Sequence, residues 1–283
     1  MTMNPWQRLR YESRLWLTAL EFLTRIPIPA ATQFDPAWMS RCVRYFPWVG
    51  VLIGGCAALV WWALQPALSP WLAAALAFTA SALITGAFHE DGLSDYVDGI
   101  GGGQSREHTL AIMKDSRVGS FGALALVLVT LVKIAALASV PMMDAVIALV
   151  FAHATARATA VTVMAALPYA RDDASSKVRP VAMGVMWAEV AVSWLPTMAL
   201  TALTALIAFS AALAAQCGLS HLMPMALLTA TLAASIITTF LALQMQRRLG
   251  GYTGDALGAV EQCAEAVILV VCAAWLSVRT HGF

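Results

Sequence analysis

Four carboxylates fall within nine positions in the stretch His89-Glu90-Asp91-Gly92-Leu93-Ser94-Asp95-Tyr96-Val97-Asp98-Gly99, directly after a long apolar run. If the helix expected of that run continues through it, Asp91, Asp95 and Asp98 stand at i, i+4 and i+7. At about 100° per residue they project near 0°, 40° and −20°, which is one stripe. Like charges on one stripe repel unless a cation lies between them. A hard divalent ion with oxygen ligands, Mg²⁺ above all, is the usual solution. The chemistry this suits is Mg²⁺-dependent phosphoryl-group transfer, with Asp91, Asp95 and Asp98 as metal ligands. Glu90 falls about 100° off the stripe and His89 about 160° from Asp91, so both read as supports behind the ligands.

Further residues with suitable chemistry lie downstream. Gly99 and the run Gly101–Gly103 lead into Met113-Lys114-Asp115-Ser116-Arg117-Val118-Gly119. Glycines let a backbone approach a phosphate, and Lys114 and Arg117 suit its oxygens. The plain reading of the glycine run is a flexible connector, which is preferred here. For residues 114–117 the plain reading is a solvated charged turn, but their place beside the acidic stripe favours function. A later stretch, Arg247-Arg248-Leu249-Gly250-Gly251-Tyr252-Thr253-Gly254-Asp255, again suits phosphate or metal, although Arg247 and Arg248 alone read as membrane-stop anchors. Glu261 and Glu265 then sit at i and i+4 inside an apolar run. Charges at the centre of a membrane helix cost on the order of 2.5–3.5 kcal/mol each, so these acids should face a polar cavity or pair with a cation. Arg157, with His153 one turn before it, is either that partner or a phosphate contact. The charges between Tyr169 and Pro180 show no spacing logic and read as a solvated loop or lid.

These groups sit in an unusual background. Of 283 residues, 60% are hydrophobic and 12% charged, with a net charge of +1 and a mean hydropathy of +0.75. This is not a soluble globular composition, and the absence of a basic run with interleaved aromatics gives no case for nucleic acid. The five cysteines show no CxxC spacing and read as buried thiols. The chain is therefore expected to be integral to a lipid bilayer.

About seven spans of some 20 apolar residues are expected, over 45–65, 71–88, 121–140, 145–167, 186–212, 223–243 and 256–278, with a kink at Pro196. Residues 6–24 mix Arg8, Arg10 and Arg14 with Trp16, Leu17, Leu20, Phe22 and Leu23, but Glu21 and Arg25 interrupt the apolar part. An interfacial amphipathic helix within segment 1–30, stopped by Pro27 and Pro29, fits better than a cleaved signal. The fold class is thus all-α: one domain over 1–283, a polytopic membrane helical bundle over 45–278 with an N-terminal interfacial helix. Threading puts 14 of the 17 lysines and arginines on the side of the acidic motif, leaving Lys133 and Arg157 inside spans and Arg279 beyond the last. By the positive-inside rule that side is cytoplasmic.

The residues also carry a family resemblance. Phe22-Leu23-Thr24-Arg25-Ile26-Pro27-Ile28-Pro29, Arg44-Tyr45-Phe46-Pro47, the acidic stretch, Met113-Lys114-Asp115-Ser116-Arg117-Val118-Gly119 and Gly250-Gly251-Tyr252-Thr253-Gly254-Asp255 together resemble the cobalamin synthase family, the adenosylcobinamide-GDP ribazoletransferases. The resemblance runs in order over nearly the whole chain, and Glu261 and Glu265 fall where that family places paired acids. It implies an inner-membrane, Mg²⁺-requiring enzyme with adenosylcobinamide-GDP and α-ribazole, or its 5′-phosphate, as substrates. GMP would be released and adenosylcobalamin, or its 5′-phosphate, formed. On this reading Asp98 accepts the hydroxyl proton, Lys114, Arg117 and Arg25 counter phosphate charge, and Arg157, Asp115 and Asp255 help bind substrate. A homo-oligomer, or association with other corrinoid-assembly enzymes, is left open. Two other readings compete. A CDP-alcohol phosphotransferase would show Asp-x-x-Asp-Gly-x-x-Ala-Arg, which is not matched here. A cation- or proton-coupled transporter would place its acids at the midplane, with inverted repeats.

Overall fold

The computed structural model describes residues 4–28, 36–170, 184–209, 216 and 220–277, and among them the regular structure is helical. Helix α1 (Pro5–Leu23) opens on a capping box in which Asn4 and Gln7 exchange hydrogen bonds. It buries Leu15, Ala19, Leu20 and Leu23 and exposes Trp6 and Leu9. Its buried face is pinned from the next segment: Arg44 pairs with Glu12 at 3.4 Å and with Glu189, and Tyr45 Oη donates to Glu12 at 2.8 Å. Helix α2 (Pro36–Cys42) and a 3₁₀ turn (Val43–Tyr45) run into α3 (Phe46–Leu64). The stop expected at Pro29 and the loop from Arg171 to Pro180 lie outside the described residues.

Helix α4 (Pro70–Thr85) is followed by α5 (Phe88–Gly102), α6 (Arg106–Ile112), α7 (Ser120–Ala138) and α8 (Met142–Ala166). Then come α9 (Trp187–Ser193), α10 (Leu195–Phe209), α11 (Met223–Leu249) and α12 (Gly254–Leu276). The kink expected at Pro196 corresponds to the break between α9 and α10 at Trp194, because the proline has no N–H to give to the carbonyl four residues earlier. The inner helices are α8 and α12, whose most apolar stretches are 78% and 72% buried, whereas α7 (22%) is peripheral. Where α3 crosses α8, a Cβ added at Gly54 would lie 2.8 Å from the Leu149 carbonyl oxygen, so the two backbones touch through small residues.

Among the described residues, six helical runs are long and apolar enough to cross a membrane, and α4 with α5 makes a seventh only as a bent pair. The sequence left open whether the helix of residues 71–88 continues through the acidic motif, and the structure shows a bend between the two. Gly86 (φ 68°) and Ala87 (φ 57°) both adopt the left-handed conformation, and the chain turns by 91°. Gly86 closes α4 as a left-handed cap, which glycine does without a Cβ penalty. Ala87 does the same at a cost of about 1–2 kcal/mol. The 16 residues of α4 rise about 24 Å, short of a hydrocarbon core of about 30 Å. Helix α5 therefore starts afresh and crosses the ends of α12 and α7 as a separate element.

Candidate active site

The acidic stretch is helical throughout, so its spacing becomes geometry. Asp91 and Asp95, one turn apart on α5, are exposed and half-buried respectively. Asp98 behaves differently. It is buried, its Oδ2 accepts the Gly119 N–H at 2.7 Å, and its Oδ1 accepts the Gly122 N–H at 2.9 Å. Gly119 is the N-cap of α7 and has no side chain to satisfy the first amides, so Asp98 caps that helix from α5 and places a negative charge at its positive end. Both oxygens of Asp98, expected from sequence as metal ligand and proton acceptor, are thus hydrogen-bonded to the start of α7.

Helix α5 is seated on α12 through glycine. A Cβ at Gly92 would lie 2.9 Å from the Asp255 carbonyl oxygen, and one at Gly258 would lie 3.0 Å from the His89 carbonyl oxygen. This close crossing brings the backbone of Asp255, half-buried in the first turn of α12, against α5 at Gly92. Thr253 fixes that turn by accepting the Ala256 N–H at 3.2 Å. On a neighbouring face Tyr96 Oη donates to Gln244 Oε1 of α11 at 2.8 Å.

The surrounding loops are stitched to the same end of the bundle. Arg248 Nη2 donates to the Gly103 carbonyl at 2.6 Å and caps the C-terminus of α5, where a cation suits the helix dipole. Arg106 reaches the Leu249 and Ala170 carbonyls, both at 2.7 Å. Tyr252 exchanges backbone bonds with Pro168 (2.9 Å) and Ala170 (2.8 Å). Arg248, read from sequence as an anchor, and Arg106 hold the loops together.

Two further predicted residues flank α5. The Arg25 N–H donates to the Ile84 carbonyl at 2.7 Å, and its exposed side chain lies over Gly86, at the bend that starts the acidic helix. Lys114 is exposed in the turn before α7. Asp115 and Arg117 are joined to each other: Arg117 Nε lies 3.0 Å from Asp115 Oδ1, and its Nη2 lies 2.5 Å from Oδ2. Hydrogen bonds from Arg117 hold the Asp115 carboxyl down at about 2. A depressed carboxyl pKa means that whatever the pairing contributes is present above the ordinary carboxylate range and is lost as pH falls through about 2.

Behind the stripe lies a buried charged layer. Glu265 meets Lys133 Nζ at 2.7 Å, His153 Nδ1 at 2.7 Å and Arg157 Nη1 at 3.3 Å. Glu261 meets His89 Nε2 at 2.9 Å and Arg157 Nη2 at 3.5 Å. Arg157, for which pairing and phosphate contact were both open, is 1% exposed and pairs with these acids. Sequence reasoning placed Lys133 inside a span without giving it a role and did not single out Gln262. The signal for Lys133 was a lone cation in the otherwise apolar run of α7. Among the described residues, no three His, Cys, Asp or Glu side chains gather as a ready-made metal cage.

The fold and this end of it define a polytopic helical membrane protein whose acidic helix lies across one end of the bundle. Within that class the chain belongs to the cobalamin-5-phosphate synthase family, whose sequence profile matches residues 15–273. A relative from Leptothrix cholodnii is 42% identical over 272 residues, covering 95% of this chain and 97% of its own. One from Shewanella piezotolerans is 41% identical over 280 residues, covering 96% and 100%. One from Vibrio cholerae is 37% identical over 270 residues, covering 95% and 96%. Each is named adenosylcobinamide-GDP ribazoletransferase. No solved structure matches the chain.

Proposed function

We propose that the protein transfers the phosphocobinamide group of adenosylcobinamide-GDP to α-ribazole or its 5′-phosphate, releasing GMP and forming adenosylcobalamin or its 5′-phosphate. The observation that carries this reading is the pair Asp91 and Asp95 on one face of α5, in a chain of this family. A ribose hydroxyl oxygen of the acceptor forms a bond to the phosphorus attached to the cobinamide arm. The bond from that phosphorus to the oxygen bridging to GMP breaks, and GMP departs with the bonding pair. The hydroxyl proton passes to a carboxylate of the stripe or to water, because Asp98 has both oxygens engaged.

Two carboxylates one turn apart, without a third protein ligand gathered beside them, fit Mg²⁺, which is commonly held by one or two carboxylates and completed by substrate phosphates and water. Asp91 and Asp95 would hold it, with Asp255 at the flank. When bound, the ion supplies charge neutralisation for the diphosphate and the departing GMP. Arg25 at the bend and Lys114 in the turn before α7 offer their charges to the phosphates. Buried Glu261 and Glu265, with Arg157, support α5 from below.

The acidic face is assigned to the cytoplasmic side of the inner membrane, on the strength of the 14 of 17 basic residues that threading puts there. The test is purified protein with adenosylcobinamide-GDP and α-ribazole 5′-phosphate, with and without Mg²⁺, following nucleotide and corrinoid together. GMP and the joined corrinoid should form only when all three are present. Release of CMP from a CDP-alcohol, or ion flux into proteoliposomes without nucleotide release, would contradict the reading.

A further inference from the structure

Lys133 is 4% exposed, on a helix whose other faces are largely open. Its ammonium is accounted for in three directions. Nζ donates to Glu265 Oε2 at 2.7 Å and to Gln262 Oε1 at 3.0 Å, and it stands 4.8 Å from the centre of the Phe78 ring. The contact with Gln262 has a consequence at the other end of that amide. With its oxygen taken by the cation, the amide nitrogen is turned toward α5, where Nε2 donates to Glu90 Oε1 at 3.2 Å. The opposite amide orientation would set an NH₂ against an ammonium and an oxygen against a carboxylate, both repulsive. Lys133 therefore selects the orientation that binds Glu90.

Glu90 belongs to the first turn of α5 and immediately precedes Asp91. That turn follows the 91° bend and has no side-chain cap of its own. Its buried polar ties include the chain Lys133–Gln262–Glu90 and the contacts of His89 with Glu261 and Arg157. We propose that Lys133, acting through Gln262, is a positioning residue that fixes the first turn of α5 and with it the carboxylates of Asp91 and Asp95. This rests on the transferase reading above.

The test is a double-mutant cycle on the purified enzyme, with Lys133→Met, Gln262→Leu and Glu90→Gln singly and in pairs. Gln262→Leu leaves the Lys133–Glu265 pair in place, so it reports on the relay even if Lys133→Met fails to fold. In Gln262→Leu, kcat should fall about tenfold, with KM for adenosylcobinamide-GDP changed less than about twofold, because the loss lies in placement rather than binding. The Lys133→Met, Gln262→Leu pair should lose no more than the worse single variant, since groups acting as one unit are not additive. Lys133→Arg should retain most of the rate. Affinity for Mn²⁺, followed by its paramagnetic resonance in the absence of substrate, should weaken in Gln262→Leu. Folded Gln262→Leu with wild-type kcat and Mn²⁺ affinity, or strictly additive losses, would overturn the proposal. Absence of GMP release from the wild-type protein would instead overturn the transferase reading.

Discussion

Asp98 shows how one residue type serves two ends on one helix. Asp98 has both oxygens on backbone amides and caps α7, while its neighbours one and two turns earlier are the proposed metal ligands. Asp98→Asn keeps one acceptor oxygen but points an NH₂ at an amide N–H, and should cost about 1–2 kcal/mol of stability. Thermal unfolding in detergent should record that loss, while the Mg²⁺ concentration for half-maximal rate stays close to wild type. A large shift in that concentration without loss of stability would return Asp98 to the metal. The sequence carried the spacing of Asp91, Asp95 and Asp98 but not their partners. Spacing along one helix is local, whereas the amides of Gly119 and Gly122 come from another helix. Glu261, Glu265 and Arg157 were legible as members of a buried set because charge in an apolar run is costly. Lys133 carried the same signal but was given no role. Gln262, being uncharged, carried none.

At the scale of elements, the acidic helix depends on two features: the bend at Gly86–Ala87 and the close crossing with α12. Gly92→Ala would press a methyl onto the Asp255 backbone, at 2.9–3.0 Å from its carbonyl oxygen and Cα. Neither backbone can yield cheaply, so α5 should be pushed away from α12. The expected result is a loss of about 1–3 kcal/mol, as for overpacking, together with a fall in kcat of more than about tenfold from misplacement of Asp91 and Asp95. Wild-type kinetics in Gly92→Ala would show that the crossing does not set the site. The bend was less legible than the spans. Hydropathy marked the apolar run up to Phe88, and an Ala-Phe-His sequence gives no reason for a left-handed residue. Ala87 adopts that conformation because α5 is held on α12 and α7, a tertiary demand that local preference does not predict. The break before Pro196, by contrast, follows from local sterics and was foreseen.

For the whole molecule, composition sufficed for a polytopic helical bundle, and the order of spans held apart from the bent pair. Sidedness is tested by labelling single cysteines, introduced in a background lacking native ones, in intact cells. A cysteine at Ser116, beside the acidic face, should react only after the membrane is made permeable, and one at Ser69, in the opposite connection, should react from outside. The reverse pattern would invert the orientation. The central claim is that Asp91 and Asp95 together carry an Mg²⁺-dependent transfer. Its most direct test is GMP release from adenosylcobinamide-GDP and α-ribazole 5′-phosphate by the folded Asp91→Asn, Asp95→Asn double variant across a range of Mg²⁺. The account predicts a fall of about 10³-fold or more, as when charge-stabilising groups are removed from a reacting centre. Normal Mg²⁺-dependent release by that variant would contradict it.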